Sequence, residues 1–423
     1  MTLKFKWETE FKKTEIGEIP REWEVREISE IAETSTGGTP SRKNEKYWGG
    51  NLNWLKSQEV NDNYIYDTEE KITEEGRKNS NAKRIYPPGT LIMALYAAPT
   101  AGRVAILKTY STVNQALAAL ESECNQFLFY SLIGNRERLL LWASGAAQQN
   151  LNLKLVKEFP IPLPHPSEQS RIATVLSWFD DLIENKKRQN EILEKVAMAI
   201  FKSWFVDFEP FKDEEFVYSE ELGKEIPEGW EVDFATRLID YNPSIRLEKE
   251  EVYPFVEMKQ VYTNSAVCEF SFRKFNGSGV KYYGGDTLMA RITPSLEHGK
   301  TAFVWFISEN EKGFGTTEFF VLHPKKSWLK EFIYLLAKNE DFRDTAINSM
   351  TGTSGRQRAD VEALKSYLIP IPPPLILQKF HSLVEPLFQK IILNQKQTMI
   401  LRKIRDTLLP KLVFGKLRVE VLR

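Results

Sequence analysis

The sequence predicts an α+β protein written twice. It reads as two similar mixed α/β domains joined by two long helices that form an antiparallel coiled coil, a pseudo-two-fold internal repeat. Three observations predict it. Short phrases recur in the same order at a nearly constant offset. Each copy breaks at a run of prolines. After each break, apolar residues recur at three- and four-residue spacing. A chain of 423 residues is also too long for one ordinary core.

The repeat opens with "EIPREWEV" at 18–25 and "EIPEGWEV" at 225–232. "NWLKSQEV" (53–60) has a weaker partner in "PFVEMKQV" (254–261). "GTLIMALYAAPTAGRVAIL" (89–107) aligns with "GDTLMARITPSLEHGKTAFV" (285–304). In both of these a Gly precedes an apolar run, a Pro follows, and Gly102 or Gly299 leads into a second run, the signature of strand, turn, strand. "FLFYSL" (127–132) and "EFIYLL" (331–336) read as helices, and "FPIPLPHPSEQ" (159–169) then matches "LIPIPPPLILQ" (368–378). The offsets run from 196 to 210, so one long duplication accounts for all of them. The predicted divisions are 1–158 and 213–367 for the globular domains, with helical regions at 159–212 and 368–423. Proline suits the junctions because it fits neither flanking element and stiffens the entry.

In the first helical region Ile172, Val175, Leu176, Phe179, Ile183, Leu193, Val196, Ile200 and Trp204 fall on one stripe. In the second, Phe380, Val384, Leu387, Ile391, Asn394, Leu401, Leu408 and Leu412 do the same. That is the pattern of a two-helix seam, with Asn394 either setting the register or facing water. A helix from Glu168 to Val206 would be roughly 58 Å long. Pro386 is expected to bend the second helix and Pro410 to end it. A lone amphipathic helix cannot bury its stripe, and its duplicate is the obvious partner. Phe201, Phe205, Ile392 and Val413 remain, available to partner helices or to the chain's own domains.

Composition excludes several classes. No apolar run reaches a membrane span, and "MTLKFKWETEFKKTE" has no apolar signal core. Two cysteines, Cys124 and Cys268, fit a reducing cytoplasm, and four scattered histidines supply a poor metal site. No GxxxxGK[ST] loop occurs, nor a Gly-rich methyl-donor loop with an NPPY-type tetrapeptide; "NPSI" at 242–245 lacks its second proline and its aromatic. So no catalytic residue, metal ligand or cofactor is expected in this chain. The net charge of −1 hides an asymmetry: residues 375–423 carry ten basic and three acidic residues, while 209–231 carry nine acidic and two basic.

Two similar heads held apart by a rod could read two half-sites on a duplex. At this point the residues resemble a known family, the specificity subunits of type I restriction–modification systems. The resemblance rests on "GEIPREWEV" and "GKEIPEGWEV", "GGTPSRKNEKYWGG" (37–50), both proline junctions, "IFKSWFVDFEP" (200–210) and "LFQKIILNQKQTMILRKIRDTLLPKLVFGKL" (387–417). It covers nearly the whole chain. It implies a non-enzymatic, cytoplasmic DNA-recognition and scaffold subunit, with two target-recognition domains reading an asymmetric bipartite site in double-stranded DNA. Two modification subunits using S-adenosylmethionine and two restriction subunits using ATP and Mg2+ would assemble around it. Two other readings compete: a duplicated-domain DNA methyltransferase or nuclease, and a coiled-coil protein-interaction scaffold.

Reading bases requires planar pairs of hydrogen-bonding groups, which Arg, Asn and Gln supply. The loops before the two helical regions offer Gln148, Gln149, Asn150 and Lys154 in one copy and Arg356, Gln357 and Arg358 in the other. Asn152 and Asp360 in the same loops suit helix caps. Arg42, Lys43, Lys46 and Tyr47 suit phosphate contact or groove entry, or equally a solvated turn. Lys56 and Gln58, Lys259 and Gln260, and Arg103 and Arg291 complete the set.

Overall fold

The computed structural model describes residues 3–96, 100–144, 151–353 and 355–421. They fall into two compact units, Met1–Leu182 with Leu401–Arg423, and Ile183–Ile400. The two long helices, Pro166–Phe205 and Pro374–Val413, are 40 residues each, and each contributes to both units.

The two units repeat one sheet. In the first, strands run in the order Glu33–Thr36, Leu117–Glu121, Leu91–Ala94, Val104–Leu107, all antiparallel, and Asn63–Ile65 adds in parallel at the edge. In the second the order is Ile239–Tyr241, Phe319–Pro324, Thr287–Ala290, Thr301–Phe303, again antiparallel. The expected strand–turn–strand of 89–107 and 285–304 forms a hairpin within each sheet. One apolar helix, Asn125–Gly134 or Lys330–Lys338, packs on it. A second small sheet flanks each core: Ser111–Val113, Trp48–Leu55 and Glu70–Ile72 in the first unit, and Ser271–Lys274, Val252–Val256, Lys312–Gly315 and Val280–Tyr283 in the second.

The duplicated phrase finds its partner in the duplicated proline run. Glu24–Glu27 pairs antiparallel with Pro160–Leu163, and Glu231–Phe234 with Leu368–Ile371. Pro160 and Pro162 in one copy and Pro370 in the other therefore lie inside a strand, contrary to the expectation that proline fits neither flanking element, while Pro164, Pro372 and Pro373 stand between strand and helix. A two-stranded ladder tolerates them at alternate positions, where the missing N–H points away from the partner. The tryptophan of each phrase is buried, but in different chemistry. Trp23 donates from Nε1 to Glu168 at 3.2 Å, and Glu168 in turn pairs with Arg418 at 2.5 and 2.8 Å. Trp230 sits against Phe205, Phe208 and Phe211.

A left-handed residue follows each long helix, Phe208 (φ 53°) beyond Phe205 and Gly415 (φ 69°) beyond Val413. The ring of Phe208 packs on Trp230 at 5.3 Å between centroids. Gly415 carries no side chain because a Cβ there would lie 2.3 Å from Pro20.

Within each unit the long helices run antiparallel. In the first, Ile172, Val175 and Leu176 face Leu409, Leu412 and Val413, and Arg405 pairs with Asp180 at 2.5 Å. In the second, Lys186 reaches Gln397 at 2.5 Å, Asn190 meets Asn394, and Phe201 meets Phe380. The stripe predicted on the first helix is correct at its N-terminal end and shifts beyond it. Val196 is 43% exposed, and Asn190, Glu194, Ala197, Phe201 and Phe205 are buried instead. The reason is that this stretch packs both on its partner helix and on the second unit's own domain, so two faces compete for burial. Phe201, Phe205 and Val413 are thus occupied by the chain's own cores, and Ile392 packs partly against the same core. Pro410 does not end the second helix, which continues to Val413. The helix also runs unbroken through Pro386, an exposed position where the carbonyl deprived of its partner meets water. A strand follows this helix, Leu417–Val421, paired with Leu3–Trp7.

Candidate nucleic-acid interface

In the second unit several candidate residues collect at the turn end of the hairpin, and in the first Arg103 stands at the same end. The hairpin closes alike in each: Ala94 N–H bonds Arg103 O at 2.9 Å, and Ala290 N–H bonds Lys300 O at 2.9 Å. The turn needs a positive φ just before the return strand, supplied by Gly102 (φ 76°) and Gly299 (φ 69°). This register agrees with the alignment of Gly102 with Gly299. Arg103 corresponds to Lys300, whereas Arg291 corresponds to Leu95.

The second unit draws Arg291, Arg356, Gln357 and Arg358 together. Arg358 pairs with Thr351 by two backbone bonds of 2.9 and 3.0 Å and bridges Ile292 on its other side. Ala359 N–H bonds Arg291 O at 2.8 Å, and the Arg291 guanidinium returns a bond to Ala359 O at 3.1 Å. Thr293 N–H bonds Gln357 O at 3.0 Å. Arg358 forms a two-point ion pair with Glu318, at 2.9 and 2.6 Å. That guanidinium holds the Glu318 carboxyl below its usual range. Arg356 is exposed, and its side chain has no hydrogen bond or ion pair among the described residues. Glu318 escaped sequence reasoning because nothing local links it to a loop forty residues away.

The caps behave as read. Asn152 Oδ1 accepts from Leu155 N–H at 3.0 Å, and Asp360 Oδ1 accepts from Glu362 N–H at 3.1 Å. Counting back from these equivalent caps sets Gln148, Gln149 and Asn150 opposite Arg356, Gln357 and Arg358. The first three lie outside the described residues. Lys154 is the second residue of the short helix Leu153–Lys157, exposed and 3.8 Å from Glu158.

The turns 57–59 and 258–260 are the same structure twice, each with a capping box. Gln260 is used up inside it, its Oε1 accepting from Glu257 N–H at 2.8 Å. Lys56 is likewise engaged, 18% exposed and 2.8 Å from Glu69. Burial lowers its pKa, but Glu69, Glu70 and Glu59 outweigh that and hold it above the ordinary lysine value. The outward position of the turn is Gln58 in one unit and Lys259 in the other, the latter beside Glu257 at 2.7 Å. A basic residue from the hairpin reaches this region in each unit: Arg103 bonds Asn61, just past the turn 57–59, and Lys300 bonds Met258 O at 3.0 Å. Lys300 was missed, although the Gly102–Gly299 alignment points to it.

In the loop 37–47, Arg42 stacks over Trp48 at 3.7 Å and pairs with Glu70 at 2.6 Å. Lys43 and Lys46 are exposed without side-chain partners among the described residues. Tyr47 is half-buried, its carbonyl accepting from Thr73 N–H at 2.9 Å. Among the described residues no group of three His, Cys, Asp or Glu could hold a metal ion, and no helix is long and apolar enough to cross a membrane.

Fold and site together define an internally duplicated protein, with one domain-and-helix unit written twice and different polar side chains at the same hairpin end. Residues 20–195 and 231–401 both match the model of the type I restriction modification DNA specificity domain. The chain belongs to that family. It is 41% identical over 99% of both chains to the type I restriction enzyme MjaIX specificity subunit of Methanocaldococcus jannaschii. It is 29% identical to the EcoR124I/EcoR124II specificity subunit of Escherichia coli over 42% of this chain and 46% of that one. Its fold is similar to the crystal structure of the type I restriction–modification S subunit from M. genitalium, with TM-score 0.52 and 18% identity over 92% of this chain and 96% of that one.

Proposed function

We propose that this chain is the DNA-recognition and scaffold subunit of a type I restriction–modification complex, a non-catalytic member that chooses the sequence for others to modify or cut. The domains of 1–158 and 213–367 each read one half of an asymmetric bipartite site. The helical regions of 159–212 and 368–423 set the spacer and dock the modification subunits. One observation carries the reading: the two units share a scaffold down to the capping boxes and hairpin turns, and differ in the side chains exposed at the hairpin end. Duplicated scaffold with divergent tips suits two unlike half-sites.

Exposed apolar residues on the first helix, Trp178, Leu182, Ile192 and Val196, support protein docking there. Two modification subunits would bring S-adenosylmethionine, and two restriction subunits ATP and Mg2+. The complex would act in the cytoplasm. The test is selection from a random duplex library by the chain co-purified with its modification subunit. Two unlike half-sites at one fixed spacing are expected. Enrichment of a single continuous site, or of none, rejects the reading.

A further inference from the structure

Arg358 is held unlike its neighbours. Its Nε and one NH2 hydrogen go to the two oxygens of Glu318, which occupies one edge of the planar guanidinium. The opposite edge, NH1 with the other NH2 hydrogen, has no partner among the described residues, and the side chain is 48% exposed. Its backbone is clamped on both sides, by Thr351 through two hydrogen bonds and by Ile292 through a bridge. Arg291 locks the next residue from beneath, through Ala359. The outer edge is therefore presented in one orientation by a rigid support.

A free arginine on such a surface is a general cation that swings to whichever phosphate is nearest. A carboxylate behind it changes both properties. It fixes the rotamer before binding, and it cancels the charge that would otherwise reward contact with any sequence. The remaining edge still matches the O6 and N7 acceptors that guanine shows in the major groove. Two residues away, Arg356 has no such support and keeps its full charge.

Resting on the DNA-recognition reading above, we infer that Glu318 is a positioning residue that makes Arg358 a guanine reader in the half-site of the second unit. Arg356 serves as a phosphate contact. Glu318 touches no base itself; it decides whether its arginine reads sequence or backbone.

The experiment uses the complex of the full chain with its modification subunits. Binding is measured to a duplex carrying the selected site, to duplexes changed one base pair at a time in each half-site, and to an unrelated duplex, at several salt concentrations. Glu318→Gln is expected to lose about tenfold or more of the preference for guanine at one position. Its affinity for the unrelated duplex rises, and its salt dependence steepens by about one unit of slope as a charge is unmasked. Arg358→Ala loses the same preference without the steeper slope. Arg356→Ala weakens binding to all duplexes alike and flattens the slope by about one unit. In all three variants the half-site of the first unit and the other positions of the second unit's half-site keep their preferences, which shows that both units are folded. A Glu318→Gln variant that retains the guanine preference overturns the positioning role, and so does an Arg358→Ala variant that retains it. A wild-type complex that selects no sequence overturns the recognition reading itself and this inference with it.

Discussion

Replacing Asn394 by alanine tests whether the helix seam is held by a polar contact. Within the second unit the Asn394 side chain is fully buried and donates to Asn190 Oδ1 at 2.9 Å and Gln189 Oε1 at 3.2 Å. Asn190, 6% exposed, donates in turn to Ile391 O at 3.3 Å. Alanine removes two hydrogen bonds worth about 1 kcal/mol each and leaves Asn190 Oδ1 buried without a donor, a further cost of about 1–3 kcal/mol. Against this, Asn394 Oδ1 is itself buried without a partner, and its removal recovers a similar 1–3 kcal/mol, roughly cancelling the last term. The net expected loss is about 2 kcal/mol. The double change Asn190→Leu with Asn394→Leu removes both amides together and is expected to lie within about 1 kcal/mol of the wild type, at the expense of register specificity. Urea denaturation followed by tryptophan fluorescence and by circular dichroism measures this, and coincidence of the two probes checks that the transition is two-state. A single variant within about half a kcal/mol of wild type would refute the reasoning. So would a double variant that loses the sum of the two single changes.

Three further outcomes are expected. Gly415→Ala combines a left-handed backbone with a Cβ 2.3 Å from Pro20, so thermal denaturation should show a loss of more than about 1 kcal/mol in the first unit. His323 donates to or accepts from buried Asp286 at 2.6 Å, and that hydrogen bond raises its pKa above the ordinary 6.5, while burial raises Asp286. Both shifts mean the folded state holds its protons more tightly. The stability from His323 is therefore full below pH 6.5 and lost as pH rises through the raised value, a decline that denaturation midpoints of His323→Gln should no longer show. Deleting seven residues from each long helix shortens the helical span by about 10 Å, so library selection should return the same half-sites with roughly three base pairs less spacer. Changed half-sites at an unchanged spacing would show that the helices are not the ruler.

Much of this protein is legible along the chain because the signals are local. The two long helices, the hairpins around Gly102 and Gly299, and the caps Asn152 and Asp360 each follow from spacings within a few residues. The alternating prolines were located correctly, but their role depended on a strand more than 130 residues away. The helix stripe was legible where only one face is buried, at Ile172, Val175 and Leu176. It failed at Val196, because a helix that also packs on a domain buries two faces and blurs a single period.

The candidate interface divides the same way. Residue types suited to DNA, such as Arg356 and Lys43, are visible from composition and loop position, while what each can do depends on its partner. Lys56 and Arg42 are tied to Glu69 and Glu70, Gln260 is spent on a cap, and Arg356 is free of side-chain partners among the described residues. The sequence by itself determined the duplication and the helical pairing, since each is written in periodicity or in repetition. Only the tertiary structure decided that Arg358 faces Glu318 and that the strand Leu3–Trp7 pairs with Leu417–Val421. Those contacts arise from strand register and from the meeting of distant segments, and no local spacing encodes either.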